Sequence, residues 1–236
     1  MQLSVIIPTF NEASCIEQTV RHIRRHGGEQ LQEILVIDGG SIDGTPDLAR
    51  RAGAKVIQSP VKGRGAQLHF GAEQSSGDIL YFVHADTLPP KTFTTEIKKA
   101  LDAGWPMGNF QHDFDPPRFL LRINAFFTRF RWFFTQGGDR TFFIRRETYF
   151  AIGGYDPEHV IMEEYDFLRR ARKMGYEFIM LPRNCKVSSR KYDHNSWLRV
   201  QLANLVVYNL WSWGLVQQSQ KLRVIYGKLL RGLPAD

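Results

Sequence analysis

A chain of 236 residues that is 43% hydrophobic and 23% charged can bury one sizeable core, and we interpret it as a single domain. The formal net charge of +7 suits nucleotide phosphates or an anionic membrane surface, but no nucleic-acid-binding motif accompanies it, so specific nucleic-acid binding is not indicated. Cys15 and Cys185 form no C-x-x-C pair, which argues against a zinc site or a disulfide framework and makes a cytoplasmic setting the default.

The first ninety residues alternate between short apolar runs and helical patterns. Strands are predicted at 3–8, 33–38, 54–59 and 78–86. Helices are predicted within 11–28, where the helical spacing stops at Gly27 and Gly28, and at 45–51 and 64–75. This alternation is typical of an α/β fold with a largely parallel sheet and helices on both faces. Ligands of such sheets bind at the carboxyl ends of the strands.

After residue 100 the alternation is less regular. The segments "GNFQHDF", "RTFFIRR" and "YEFIML" predict strands, and residues 163–175 predict a helix with acids in its first turn and bases in its last. A helical tail begins at Trp197, and its apolar part, 202–216, is too short and too interrupted to span a membrane. The N-terminal apolar run is cut off by Pro8, so we expect no ordinary signal peptide.

Two common nucleotide-binding motifs are missing from the chain. The segment "GRGAQL" has Leu68 where a dinucleotide-binding fingerprint needs its third glycine, and no G-x-x-x-x-G-K-[ST] sequence occurs. The remaining design is a site built from acidic side chains at strand ends, where Asp38 and Asp86 lie.

Three segments, "SVIIPTFNEA", "ILVIDGGSIDGT" and "GDILYFVHADTLPP", resemble the nucleotide-sugar half of family 2 glycosyltransferases of the GT-A fold. Later segments, "GGDRTFFIRRETYFAIGGYD", "MEEYDFLRR" and "SSRKY", resemble the acceptor half of a bacterial subgroup whose sugar and acceptor are generally unassigned. The resemblance implies inverting transfer of a sugar from a UDP- or GDP-sugar to an acceptor hydroxyl. It divides the chain into a nucleotide-sugar half (1–95), an acceptor half (96–195) and a helical tail (196–236).

The resemblance implies that Asp86 holds Mg²⁺ or Mn²⁺ against the donor diphosphate, because a hard cation neutralises the charge of that leaving group. The family has Asp-x-Asp at this point, whereas this chain has His84-Ala85-Asp86. His84 is a candidate for contact with the ribose or a phosphate, or for a metal ligand. The alternative is that Asp86 only forms a turn before Pro89 and Pro90.

Further positions match family residues around the donor. They are Pro8, Thr9, Asn11, Glu12, Asp38, Gly39, Lys62, Arg64, Gly65 and Arg190. Asp38 matches an acid that accepts from the nucleobase, and its alternative is an Asp-Gly turn. Asn11 is also a candidate cap for the helix that follows. Exposed surface charge is the alternative for Lys62, Arg64 and Arg190.

The acceptor hydroxyl needs a general base, which contributes typically about 10²- to 10⁴-fold in rate. In the family an acidic pair opens a helix below the acceptor, and here the pair is Glu163-Glu164. Glu164 is the candidate base, and Glu163 is the second candidate. The alternative is that these acids only complement the helix dipole. Gly138 and Asp139 match acceptor-side positions, and Arg140 stands where a Gln is usual.

Two other functions remain open, a nucleotidyltransferase of similar fold and a non-catalytic nucleotide- or membrane-binding module. The first needs a Gly-rich basic loop after the first strand, which "PTFNEA" is not. Residues 118–134 carry an aromatic stripe that suits a core helix, a dimer contact or a membrane-interface helix. Peripheral attachment to the inner face of the membrane, with a lipid-linked acceptor, is therefore a hypothesis.

Overall fold

The structure, a computed structural model, describes residues 1–115, 121, 140–216 and 218–230. The strands are β1 (Leu3–Thr9), β2 (Leu31–Asp38), β3 (Lys55–Gln58), β4 (Ile79–Phe82), β5 (Thr87–Leu88), β6 (Met107–Asp115), β7 (Phe142–Arg145) and β8 (Ile179–Ser188). The α-helices are α1 (Ile16–Gly27), α2 (Thr45–Ala52), α3 (Arg64–Gln74), α4 (Phe93–Asp102), α5 (Arg146–Ala151), α6 (Glu163–Lys173), α7 (Trp197–Ser212) and α8 (Ser219–Leu229). Short 3₁₀ helices cover Gly28–Gln30 and Arg190–Tyr192.

The strands form one sheet in the order β3-β2-β1-β4-β7-β6-β8-β5. The first four strands in this order, β3 to β4, are parallel to one another. Strand β7 runs antiparallel to both β4 and β6, β8 is parallel to β6, and β5 closes the edge antiparallel to β8. The predicted α/β fold, with a mainly parallel sheet and a helical C-terminal tail, is confirmed.

Helices cover both faces of this sheet because the buried strands are apolar on both sides. Leu3, Val5 and Ile7 of β1 point to the face covered by α1, α2 and α4. Ile6 points to the opposite face, which is covered by α3, α5 and α6. The two apolar layers hold the sheet between the helices. The loops after β1, β2 and β4 meet at the carboxyl edge of this sheet.

Helix α3 lies unusually close to the sheet and ties two strand ends together. A Cβ on Gly71 would come within 2.5 Å of Ile6 Cγ2, so only glycine permits this approach. One turn earlier, the buried Gln67 donates from Nε2 to the carbonyl oxygens of Thr9 (2.9 Å) and Ile37 (2.7 Å). The ends of β1 and β2 are thus held by one side chain.

Two predicted strands differ in length from the observed ones. The strand predicted at 78–86 ends at Phe82, and the chain then turns, with the backbone N–H of Thr87 donating to the carbonyl of His84 (3.1 Å). The strand predicted to end at Leu181 continues to Ser188. Its pairing with β6 jumps from Leu181 to Asn184, so that Pro182 sits in an irregularity of the ladder where no hydrogen bond from its nitrogen is needed.

The helical regions also show differences. Helix α4 was not predicted, although Phe93, Ile97, Ala100 and Leu101 have helical spacing and are buried. The tail consists of two helices, which separate after Ser212 in a turn where Gly214 has φ 69°.

Of the aromatic segment 118–134 only Leu121 belongs to the described residues. No described helix is both long enough and apolar enough to cross a bilayer.

Replacing Gln67 by Leu should take one donor from each of two buried carbonyl oxygens, and of these the Thr9 carbonyl still accepts from the N–H of Gly39. An unsatisfied buried group costs about 1–3 kcal/mol, so we expect Gln67→Leu to lower the free energy of unfolding by roughly that amount or more. Urea denaturation measures this, with Gln74→Leu at the exposed end of the same helix as the matched control. Equal stability of the two variants would contradict a clamping role for Gln67.

Candidate functional site

Asp38 lies at the carboxyl end of β2, and its carboxylate is fully engaged by its own surroundings. Oδ1 accepts from the hydroxyls of Thr9 (3.0 Å) and Ser41 (2.6 Å), and Oδ2 accepts from the backbone N–H groups of Gly40 (3.0 Å) and Ser41 (2.9 Å). These contacts use the acceptor positions of a carboxylate. The turn alternative for Asp38 therefore holds, and a contact with a nucleobase requires Ser41 to release Oδ1.

Asn11 connects the loop after β1 to the loop after β2. It has the left-handed φ of 57°, its N–H donates to Ser41 Oγ (2.8 Å), and its Oδ1 accepts from the N–H of Ile42 (3.0 Å). It does not cap α1, whose N-cap position is Cys15. The expected capping role is wrong, because the side chain is used between the two loops instead.

A second set of hydrogen bonds joins the same loops. The Asp43 carboxylate accepts from the N–H of Ala13 (3.0 Å) and from the Thr45 hydroxyl (2.5 Å), and that hydroxyl accepts from the N–H of Glu12 (2.8 Å). The N–H of Gly39 donates to the Thr9 carbonyl (2.8 Å). Pro8 lies in β1 opposite Ile37 of β2, just before this pair of connected loops at the sheet edge.

Asp86 is bound to Arg190, which also binds Glu12. Arg190 Nε lies 3.1 Å from Asp86 Oδ2, and its two terminal nitrogens lie 2.6 and 2.7 Å from the Glu12 carboxylate. Burial lowers the pKa of Arg190, but its contacts with Glu12 and Asp86 raise this pKa above its ordinary value. The guanidinium is a permanent cation shared by two acids, so the three side chains together keep one negative charge.

The pairing of β5 with β8 brings Arg190 to Asp86. Thr87 is opposite Val187 in this antiparallel pair, and the N–H of Ser188 donates to the Asp86 carbonyl (3.2 Å). On the other side of the turn, the Thr19 hydroxyl donates to the Ala85 carbonyl (2.6 Å). The turn that carries Asp86 is therefore held by its backbone from both sides.

Cys15 lies beside the same acids. Burial, together with the neighbouring Glu12 carboxylate, raises the pKa of Cys15 to about 12. Its Sγ is 3.3 Å from Glu12 Oε2. A thiol of this kind stays protonated at neutral pH and is a poor nucleophile.

Glu163 and Glu164 begin α6, as predicted, and both face Arg64. Arg64 Nε contacts Glu163 Oε1 at 2.5 Å, and its Nη2 is 3.7 Å from Glu164 Oε1. The Glu163 side chain is fully buried, and its Oε2 has no hydrogen-bond partner among the described residues. Glu164 is 13% exposed, and His84 Nε2 lies 3.9 Å from its Oε1. The two acids therefore differ in access to solvent.

The loop before α3 contacts both halves of the chain. A Cβ on Gly65 would be 2.9 Å from the carbonyl oxygen of His159, so glycine allows this loop to pack against the segment that leads into α6. Lys62 is exposed and its Nζ is 5.4 Å from the centre of the Phe10 ring. Arg64, which the resemblance assigned to phosphate, here binds acids of the acceptor half.

The turn His84-Ala85-Asp86 connects the two acidic groups, since His84 faces Glu164 and Asp86 faces Arg190. The described residues contain no group of three potential metal ligands. A magnesium-type ion nevertheless needs only one or two carboxylates when phosphate oxygens and waters supply its other ligands. Asp86 fits such an ion, because it is partly exposed and shares a single counter-charge with Glu12.

A cavity of about 20 Å³ lies beside Glu164, large enough for about one water molecule. Asn109, Arg140, Thr141 and Tyr155 are among its lining residues. Arg140 is buried, and burial lowers its pKa to about 10, while Tyr165 and Glu164 act in the opposite direction. Gly138 and Asp139, the predicted acceptor residues, lie outside the described residues.

Sequence reasoning missed two residues that shape the site, Ser41 and Gln67. Ser41 follows "DGG", and a hydroxyl in such a turn is a known partner for an aspartate, so a signal was available. Gln67 gave no signal, because only the packing of α3 on the sheet turns its amide toward the strand ends.

Comparison with known proteins adds independent findings. The model of "Glycosyl transferase family 2" matches residues 4–160. The probable glycosyltransferase YdaM of Bacillus subtilis is 28% identical over 207 residues, which is 77% of this chain and 49% of that protein. Glucosyl-3-phosphoglycerate synthase of Mycolicibacterium smegmatis is 33% identical over 96 residues, covering 37% of this chain and 32% of that protein.

Solved structures show the same fold. The mannosyltransferase PcManGT of Pyrobaculum calidifontis, in complex with GDP-Man and Mn²⁺, superposes with a TM-score of 0.69 at 20% identity, over 97% of this chain and 69% of that one. Glucosyl-3-phosphoglycerate synthase of Mycobacterium tuberculosis, with Mn²⁺, UDP and glucosyl-3-phosphoglycerate, gives 0.62 at 21% identity, over 87% of this chain and 78% of that one.

The chain spans about half the length of YdaM and about a third of the synthase from M. smegmatis. The solved structures, at 20 and 21% identity, establish the GT-A fold and nothing finer. The match to the family model shows membership of a family and not only a fold, because it covers more than half of the residues. It includes the loops that carry Asn11, Asp38 and Asp86. The chain belongs to glycosyl transferase family 2.

Proposed function

We propose that this protein transfers a sugar from a nucleoside diphosphate donor, UDP- or GDP-linked, to an acceptor hydroxyl with inversion at the anomeric carbon. One observation carries the proposal: a single turn, 84–86, presents Asp86 to the donor loops and His84 to Glu164. The donor-side Asp86 is thereby two residues from His84, whose Nε2 lies 3.9 Å from the proposed base Glu164. Such proximity is what a direct displacement between two bound substrates requires.

On the donor side, the paired loops after β1 and β2 form the floor for the nucleoside. Asn11 and Asp38 are held by backbone N–H groups, so the loops keep their shape before a ligand arrives. We assign Lys62 and Arg190 to the diphosphate, because Lys62 lies beside Phe10 and Arg190 binds Glu12, both in the loop after β1. A guanidinium is suited to this task because its planar donors match phosphate oxygens.

Asp86 is the residue that we assign to Mg²⁺ or Mn²⁺. Bound there with the diphosphate, such an ion supplies charge neutralisation for the leaving group. Asp86 gives one hard oxygen ligand, and Glu12 adds negative charge nearby. His84 turns its Nε2 toward Glu164, so we assign it to the acceptor side rather than to the metal.

On the acceptor side, Glu164 is the proposed general base and Glu163 a positioning residue. Glu163 is fully buried and pairs with Arg64. This environment suits a residue that orients Arg64, and it does not suit a residue that contacts a substrate. Glu164 keeps some access and lies between Arg64 and His84. When Glu164 takes the proton, the acceptor oxygen attacks the anomeric carbon from the side opposite the departing diphosphate, so the configuration inverts.

The acceptor itself is proposed only by class, as a molecule with a free hydroxyl. The proteins similar to this chain include a synthase named for glucosyl-3-phosphoglycerate, and this name supports a small anionic acceptor as one candidate. Arg140, buried close to Glu164 and unusual at its position, is the residue we expect to affect acceptor choice. A lipid-linked acceptor is the alternative.

The nucleotidyltransferase alternative lacks support, since the loop after β1 is fixed by Asn11 and Glu12 and contains no glycine. A non-catalytic binding module would use the donor loops but would have no need for Glu164. Sugar transfer and non-catalytic binding therefore predict different effects for a single substitution of Glu164.

Glu164→Gln should remove the base and leave the donor site intact. We expect the rate of sugar transfer to fall by about 100-fold or more, with the dissociation constant of the donor nucleotide unchanged within about twofold. Single-turnover assays and nucleotide titration measure the two quantities. Glu163→Gln is the matched comparison, and we expect it to lose thermal stability and to keep more activity than Glu164→Gln.

If Glu164→Gln transfers sugar as fast as the unmodified protein, Glu164 is not the base. If Glu163→Gln shows the larger loss of rate at unchanged stability, the assignment of the two acids is reversed.

Asp86→Asn should remove the metal-dependent part of nucleotide binding. A ligand at 100 times its dissociation constant adds about 2.7 kcal/mol, which corresponds to a rise in Tm of roughly 5–10 °C for a chain of this size. We expect UDP or GDP with Mn²⁺ to produce this rise in the unmodified protein and little of it in Asp86→Asn. Asp102→Asn, an exposed acid on α4, is the control. An equal rise in both variants would contradict the assignment.

A further inference from the structure

Helix α7 is apolar on two opposite faces. Its inner face is buried and consists of Val200, Ala203, Val207 and Trp211. Its opposite face, which we call the outer stripe, consists of Leu198, Leu202, Leu205, Val206 and Trp213, the last just beyond the end of the helix. These five side chains are between 40% and 72% exposed. Their spacing of three to four residues puts them on one side of the helix.

Among the described residues, α7 packs on the rest of the protein through its inner face, to which Tyr208 adds a ring contact with Tyr165. Val200 and Ala203 contact Leu230 at the end of α8, and Val207 and Trp211 contact Leu222. The outer stripe takes no part in these clusters. Because a helix that is hydrophobic all round is normally covered on all sides, the stripe indicates a partner.

The charge of the two tail helices, taken together, indicates what the partner is. Residues 194–230 contain no Asp or Glu, whereas Arg199, Lys221, Arg223 and Lys228 are all basic. Apolar side chains, basic residues and an exposed Trp213 at the helix end are the combination that binds an anionic lipid surface. A second copy of the chain fits less well, because it would bring the same basic helices and another net charge of +7 to the contact.

We propose that the outer stripe docks this protein onto an anionic membrane surface, with α7 lying in the plane of the interface. The attachment is peripheral, since α7 has 16 residues and its inner face remains packed on the protein. The proposal concerns binding only and does not depend on the transfer reaction.

The position of the α7–α8 pair gives this attachment a consequence for the acceptor side. The Ser219 hydroxyl, at the start of α8, donates to the Glu158 carbonyl (2.8 Å) and accepts from the N–H of Val160 (3.1 Å). Tyr165, next to Glu164, lies 5.4 Å from Tyr208 of α7, measured between ring centres. The docked helix therefore lies directly behind the segment that leads into the proposed base.

Sedimentation with vesicles tests the proposal on the full chain. Vesicles of phosphatidylcholine with about 30% phosphatidylglycerol should bind the protein at low salt, at least about tenfold more strongly than phosphatidylcholine alone, and 0.5 M NaCl should weaken the binding. Leu202→Gln combined with Leu205→Gln should reduce the partition coefficient by about tenfold or more, because it removes two half-exposed apolar side chains. Trp213→Gln, at the most exposed site of the stripe, is a second variant with little effect on packing.

Met174→Gln is the matched control, since Met174 is as exposed as Leu202 but lies after α6, outside the stripe. It should bind vesicles within twofold of the unmodified protein. The proposal is overturned if the unmodified protein ignores anionic vesicles, or if the stripe variants bind as it does. It is also overturned in favour of self-association if sedimentation velocity shows a dimer that the stripe variants convert to monomer while no form binds vesicles.

Discussion

Two arginines hold the acidic edge of the sheet together. Arg190 joins Glu12 to Asp86, and Arg64 binds the pair of acids that begins α6. Carboxylates this close to one another and partly removed from water are unfavourable unless a cation compensates them. Each guanidinium also connects distant parts of the chain, since its partners lie more than 90 residues away in the sequence. The loops of the donor side and the helix of the acceptor side therefore depend on the same type of contact.

This arrangement has a consequence for how a diphosphate binds, given the proposed function. The guanidinium of Arg190 is already occupied by carboxylates, so a phosphate group competes with Asp86 and Glu12 for the same donors. If Arg190 turns to the phosphate, Asp86 loses its counter-charge and offers a hard oxygen ligand where Mg²⁺ or Mn²⁺ prefers one. Donor and cation binding are then coupled through one side chain, and neither is favourable at this site without the other.

How much of the site could be predicted from the sequence depends on how far apart in the sequence the residues of each contact lie. Asp38 was found because a strand end is visible in the local pattern, and Glu163 and Glu164 because a helix start is. Asp86 was found in the same way, although its strand ends four residues earlier than predicted, at Phe82. The contact of Arg190 with Asp86 rests on the β5–β8 register, and β8 continues past Pro182, a residue at which a strand is expected to stop. Arg64 was expected on phosphate, but its binding to the acids depends on the approach of α3 to α6, which Gly65 allows. Such contacts are set by packing between distant elements and leave no local signal.

The packing of the helical tail is also only partly predictable from the sequence. Its sequence is apolar nearly all round, which predicts a buried helix but not which side is buried or against what. In the structure one side of α7 packs on α8 and on Tyr165, and the other side stays open. Because the packed side supports the segment that precedes Glu164, any partner on the open side bears on the acceptor half and not on the donor loops. The loops after β1 and β2 are held by hydrogen bonds to each other, whereas the segment that leads into α6 rests on the tail helices. This difference makes that segment the part whose geometry a surface can influence.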